Sequence, residues 1–71
     1  MNIEWIDGSM IRVKTDDDGV TISANKEGLL SLAGQLTALA QGLSGDHIHY
    51  DQYSSLEDGS ADLVIEKTSD K

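Results

Sequence analysis

From Gly28 to Gly45 the chain runs without a charged side chain, and within that stretch its leucines recur every three or four residues. Leu29, Leu32, Ala33, Leu36, Leu39, Ala40 and Leu43 project onto an arc of roughly 120° at helical spacing, the width of a helix packed on a sheet. Asn25 stands where an N-cap belongs, and Glu27 puts an acid in the first turn, where the helix dipole favours it. Gly42 or Gly45 is expected to close the element in a left-handed conformation. Ser31, Gln35, Thr37 and Gln41 are ill suited to hydrocarbon, so the stretch does not read as a membrane span. One amphipathic helix anchors the fold, and the rest of the chain must supply the surface it packs on.

That surface is written in short alternating runs. Ile3 and Trp5 share one face of a first strand, with Glu4 on the other, and Asp7-Gly8 follows as a hairpin turn. In a second run from Met10 to Thr15, Ile11 and Val13 oppose Arg12 and Lys14. Asp16-Asp17-Asp18-Gly19 reads as another turn, after which Val20, Ile22 and Ala24 alternate with Thr21 and Ser23. Beyond the helix, Ile48 and Tyr50 alternate with His47, His49 and Asp51. A loop containing Glu57-Asp58-Gly59-Ser60 then leads to Leu63 and Ile65, which alternate with Asp62, Val64 and Glu66. The expected fold is α+β: a two-layer sandwich of order β-β-β-α-β-β, with one antiparallel sheet covered on one face by the single helix. Residues 1–67 form one domain in this reading, followed by a frayed tail at 68–71.

Composition removes whole classes of function. The 71 residues carry 13 Asp+Glu against 5 Lys+Arg, a formal net charge of -8. Phosphate backbones are bound by clustered Lys and Arg, so nucleic acid is a poor partner for this chain. The absence of cysteine removes disulfides and thiolate metal sites. Met1-Asn2-Ile3-Glu4-Trp5 has no basic region leading into an apolar run, so the start does not read as a signal peptide.

Few residues offer chemistry. His47 and His49 lie on one face of a strand and could grip a metal ion together. Asp51 shares that face but sits about 13 Å from His47 at strand rise, so a third ligand would have to come from Asp62 or Glu66 on the neighbouring strand. The two Asp-Gly runs lack the carboxylate that a calcium loop places five residues before its glycine. No serine sits in a nucleophile elbow and no phosphate loop is present, so the chain reads as a non-enzyme without a cofactor.

Two surfaces carry more information. His47, His49, Asp51, Asp62 and Glu66 gather on the outer face of the last hairpin, extended by Glu57 and Asp58 in its loop. An acidic face of this kind steers a basic protein partner. The far side of the helix is uncharged: Leu30, Gly34, Ala38 and Gln41 would let a second chain approach closely. Three readings follow. They are an acidic protein-binding domain, a homodimeric or accessory domain using the helix face, and a metal-binding protein using His47 and His49.

Three strings also carry a family likeness: Asn25-Lys26-Glu27-Gly28-Leu29-Leu30-Ser31-Leu32-Ala33, His47-Ile48-His49-Tyr50-Asp51, and Leu56-Glu57-Asp58-Gly59-Ser60 with Leu63-Val64-Ile65-Glu66. Over about residues 20–67 the chain resembles immunity protein 32, a family of small bacterial proteins from polymorphic toxin systems. The resemblance implies a cytoplasmic antidote that binds and blocks a cognate toxin. For an acidic domain, the basic active-site cleft of a nuclease toxin is a suitable target.

Overall fold

The computed structural model describes residues 3–69. Its single helix, α1 (Lys26–Ala40), begins as the sequence requires. The Asn25 carboxamide oxygen accepts the Gly28 N–H at 2.8 Å and the Met10 N–H at 3.0 Å, while its Nδ2 donates to the Gly8 carbonyl at 2.8 Å. One N-cap side chain therefore starts the helix and holds the preceding segment. The other end differs from expectation. Neither Gly42 nor Gly45 closes the helix; the C-cap is Gln41, in right-handed geometry. Lys67 donates from Nζ to the Ala40 and Gly42 carbonyls, both at 2.8 Å. A cation from the far end of the chain thus meets the negative end of the helix dipole and satisfies carbonyls that a glycine cap would have served.

The strands are β1 (Ile11–Asp16), β2 (Gly19–Ala24), β3 (His47–Tyr50) and β4 (Leu63–Glu66). The α+β class with one helix is as expected, but the order is β-β-α-β-β and there are two antiparallel hairpins, β1-β2 and β3-β4, in place of one sheet. The expected first strand does not form. Ile3–Ile6 instead crosses the helix, where Ile6 N–H donates to Ser31 Oγ at 2.9 Å and the Glu4 carbonyl accepts from Gln35 Nε2 at 2.8 Å. Helix side chains take the backbone groups that a strand would have offered to β1. Of the tail from Thr68, residues Thr68 and Ser69 are exposed and belong to no element, while Asp70 and Lys71 lie outside the described residues.

The loop after β3 explains why β1 and β3-β4 are not continuous. Asn25 N–H bonds the Met10 carbonyl, which fixes the phase of the first hairpin: Arg12–Ser23 and Lys14–Thr21 exchange hydrogen bonds, and Ile11 and Val13 point their backbone groups outward. Glu57 N–H meets the Ile11 carbonyl at 2.8 Å and Ala61 N–H meets the Val13 carbonyl at 2.9 Å. Ser60 Oγ accepts the Val13 N–H at 3.2 Å. Residues 57–61 thus seal the outer edge of β1, but four loop residues advance for every two on the strand, so no regular ladder results.

The core is Ile11, Val13, Leu32, Leu39, Ile48, Tyr50 and Leu56, drawn from both hairpins, the helix and the loop. Only part of the expected helix stripe contributes. The buried helix residues are Gly28, Ser31, Leu32, Gln35 and Leu39, a face turned by about a quarter of a turn from the leucine stripe. Leu29, Leu36 and Leu43 are left 55%, 42% and 76% exposed. Polar partners account for the rotation. Gln35 Oε1 accepts the Tyr50 hydroxyl at 2.8 Å, and its Nε2 serves Glu4 as above. Ser31 accepts from Ile6 and lies 2.9 Å from Ser9 Oγ, whose own proton goes to the Ile6 carbonyl at 2.6 Å, so Ser31 donates to Ser9. Among the described residues no buried side-chain polar atom lacks a partner.

Gly28 marks the closest approach of helix to strand. A Cβ there would stand 2.8 Å from the Met10 carbonyl oxygen and 2.9 Å from Ile11 Cγ1, whereas nothing lies within 4 Å of one at Gly34. The two substitutions to alanine should therefore have opposite signs. Gly34→Ala is expected to stabilise by about 0.5–1 kcal/mol through helix propensity. Gly28→Ala is expected to destabilise by about 1–3 kcal/mol, because overpacking outweighs the same propensity gain. Urea unfolding of both variants checks this.

Candidate functional site

Strand alternation in the second hairpin sends Ile48 and Tyr50 into the core and His47 and His49 outward. The register places His47 opposite Glu66 and His49 opposite Val64. Asp62, just before β4, brings its carboxylate to 3.5 Å from His49 Nε2, an ion pair whenever the imidazole is protonated. Both side chains remain more than half exposed, at 51% and 65%, so this contact adds little to stability. The outer face thus gathers His47, His49, Asp62 and Glu66 around an exposed Val64.

Asp51 sits at the end of this face and has a different task. Its Oδ1 accepts the Ser54 N–H and hydroxyl, both at 2.9 Å, and the Tyr53 N–H at 3.0 Å. The Asp51 carbonyl accepts Leu56 N–H at 2.8 Å and Ser55 N–H at 3.0 Å. The Ser54 hydroxyl first, then the Tyr53 and Ser54 N–H groups and the nearby His49, hold the carboxyl below its usual range. Asp51 therefore folds the loop that carries Glu57 and Asp58. Asp58 is exposed, while Glu57 is half-buried against β1. Arg12 donates to the Asp58 carbonyl at 3.2 Å, so a cation of the first hairpin borders the acidic loop. The sequence gives no periodic sign of that contact, because the two residues are 46 positions apart.

Among the described residues no group of three or more His, Asp or Glu side chains is arranged to hold a metal ion. His47 and His49 share their face, but the hairpin brings Glu66 to the one and Asp62 to the other.

The uncharged side of the helix is divided rather than free. Ser31 and Gln35 are buried, at 4% and 3% exposure, beneath the N-terminal segment. Leu30, Gly34 and Ala38 line a groove of about 380 Å³ together with Glu4, Trp5 and Ile6, and Gln41 stands exposed beyond it. Leu30 is 52% exposed at its rim. Trp5 is fixed in the wall of this groove by an edge-on contact with Tyr50, with ring centroids 6.1 Å apart at 83°.

These features define a small α+β domain that presents a charged hairpin face and an open groove. The family model for immunity protein 32 matches residues 19–68, and the chain belongs to that family. The match spans β2, the helix and the whole second hairpin with its loop. No curated protein and no solved structure matches the chain. Among the described residues no helix is long and apolar enough to cross a membrane.

The lowered Asp51 carboxyl carries a pH signature. A depressed carboxyl stabilises the fold above its unfolded value of 3.8, and that contribution is lost as pH falls through the lower folded value. Asp51→Asn should melt below the wild type at pH 7, and the gap should shrink steadily between pH 5 and pH 2. Parallel thermal scans across that range test it.

Proposed function

We propose that this protein is an immunity protein in the literal sense: it binds a cognate bacterial toxin and neutralises it. The family match over residues 19–68 is the observation that carries this reading. The outer face of the second hairpin is the contact surface, with His47, His49, Asp62 and Glu66 at its centre and Glu57 and Asp58 at its margin. An open acidic face draws a basic toxin domain into the right orientation before close contact forms. Blocking is steric, so the protein performs no chemistry of its own and needs no cofactor. Asp51 contributes by shaping the loop.

The chain's net charge of -8 supports this reading, because on a domain of 71 residues it produces a field reaching about 10 Å into solvent at 0.1 M salt. Exposed carboxylates at this density repel one another, and a basic partner relieves that cost.

The test is co-expression with candidate toxin domains from the source genome, followed by association kinetics on the purified pair. Growth should be restored by the wild type. The double variant Asp62→Lys/Glu66→Lys should associate about tenfold more slowly and lose most of the salt dependence of the on-rate. Unrelieved toxicity would remove the proposal. Rescue with an on-rate indifferent to salt and to both substitutions would place the contact on another face.

A further inference from the structure

The structure assigns a second docking edge, β2, and we infer that its occupant is a second copy of this chain. The phase of the first hairpin fixes which backbone groups are available. Because the Asn25 N–H bonds the Met10 carbonyl and Arg12–Ser23 and Lys14–Thr21 exchange hydrogen bonds, the N–H and C=O groups of Val20, Ile22 and Ala24 point away from β1. On β1 the Ile11 carbonyl and both backbone groups of Val13 are met by Glu57, Ser60 and Ala61. Among the described residues nothing meets those of β2, which pairs with β1 alone.

Such an edge is ordinarily blunted by a charge, a proline or a bulge. β2 reads Gly-Val-Thr-Ile-Ser-Ala, without charge or proline, and its register with β1 is one to one. Its inward-facing side chains are also uncovered, with Val20 61% and Ile22 41% exposed. The helix that follows it turns Leu29 and Leu36 away from the flank covered by the N-terminal segment, and both are about half exposed. A strand laid along β2 would complete the hydrogen bonding and cover this apolar surface.

Charge selects a second copy over a basic partner. The nearest charges to β2 are Asp16, Asp17 and Asp18 at one end and Lys26 at the other, with Arg12 and Lys14 on the adjoining strand. Antiparallel pairing of two β2 strands, centred on Ile22 against Ile22, sets Val20 against Ala24 and Thr21 against Ser23. Each acidic turn then lies beside the Lys26 of the other copy. The pairing makes about six backbone hydrogen bonds. In the resulting order β1-β2-β2-β1, the acidic second hairpins stand at opposite ends, where their repulsion is smallest and both remain open. A basic partner would be drawn to those ends and not to the neutral centre.

Sedimentation of the full chain between about 1 and 500 µM tests this without reference to any toxin. The expected result is a reversible shift from 7.6 kDa to twice that mass. In hydrogen exchange, the amides of Val20, Ile22 and Ala24 should gain protection of tenfold or more over the same range, while those of the second hairpin stay constant. Val20→Lys and Ile22→Lys, each checked for an unchanged circular dichroism spectrum, should remain monomeric throughout. An Asp18→Lys variant should dimerise at least threefold more weakly, and Asp18→Lys/Lys26→Asp should recover. A wild type that is monomeric at all concentrations, or a dimer that survives both lysine substitutions, would overturn the proposal.

Discussion

A chain of three polar groups, two of them on buried side chains, decides how this domain is put together. The Tyr50 hydroxyl donates to Gln35, and Gln35 donates onward to the Glu4 carbonyl, both at 2.8 Å. Tyr50 and Gln35 are 1% and 3% exposed, so neither can fall back on water. Burial also pushes the Tyr50 phenol above its ordinary value, which keeps it a donor. An unpartnered group here would cost about 1–3 kcal/mol, a large share of the stability of so small a domain. The helix must therefore face Tyr50 with Gln35. Once it does, Ser31 reaches Ile6, Trp5 meets Tyr50, and the segment from Ile3 to Ile6 is drawn across the helix instead of along β1.

This explains which parts of the fold were legible in the sequence. Hydrophobic periodicity reports elements whose orientation is set by apolar burial. It located β1, β2, the helix with its Asn25 cap, and the alternation of β3 and β4. It failed where a polar residue overrides it. The leucine stripe implied one face of the helix, and Gln35 and Ser31 selected another, leaving Leu29 and Leu36 half exposed. Ile3-Glu4-Trp5 alternates like a strand, yet its backbone is claimed by side chains on the helix. Lys67, 25 residues beyond Gly42, replaced the glycine cap that spacing alone suggests.

The candidate site shows the same division. Alternation sufficed to put His47, His49, Asp62 and Glu66 on one outer face, and the register brought them together. Asp51 shares their sequence pattern but its carboxylate is occupied by Ser54 and Tyr53, a local turn that composition does not reveal. The loop that Asp51 folds covers the outer edge of β1 at Ile11 and Val13, whereas among the described residues nothing pairs with the outer edge of β2. The match to the immunity protein 32 family, over residues 19–68, takes in both β2 and the second hairpin. The rotation of the helix leaves Leu29 and Leu36 about half exposed, and Val20 and Ile22 of β2 are likewise uncovered.

A double-mutant cycle on Tyr50→Phe and Gln35→Met, read by urea unfolding, tests most directly whether the polar chain sets the structure. Each single change leaves a buried group unpaired and is expected to cost about 1–3 kcal/mol, despite making the core more apolar. The double variant should cost less than the sum by about 1 kcal/mol, because the two residues share one bond. Single variants as stable as the wild type, or strictly additive losses, would show that apolar packing alone orients the helix.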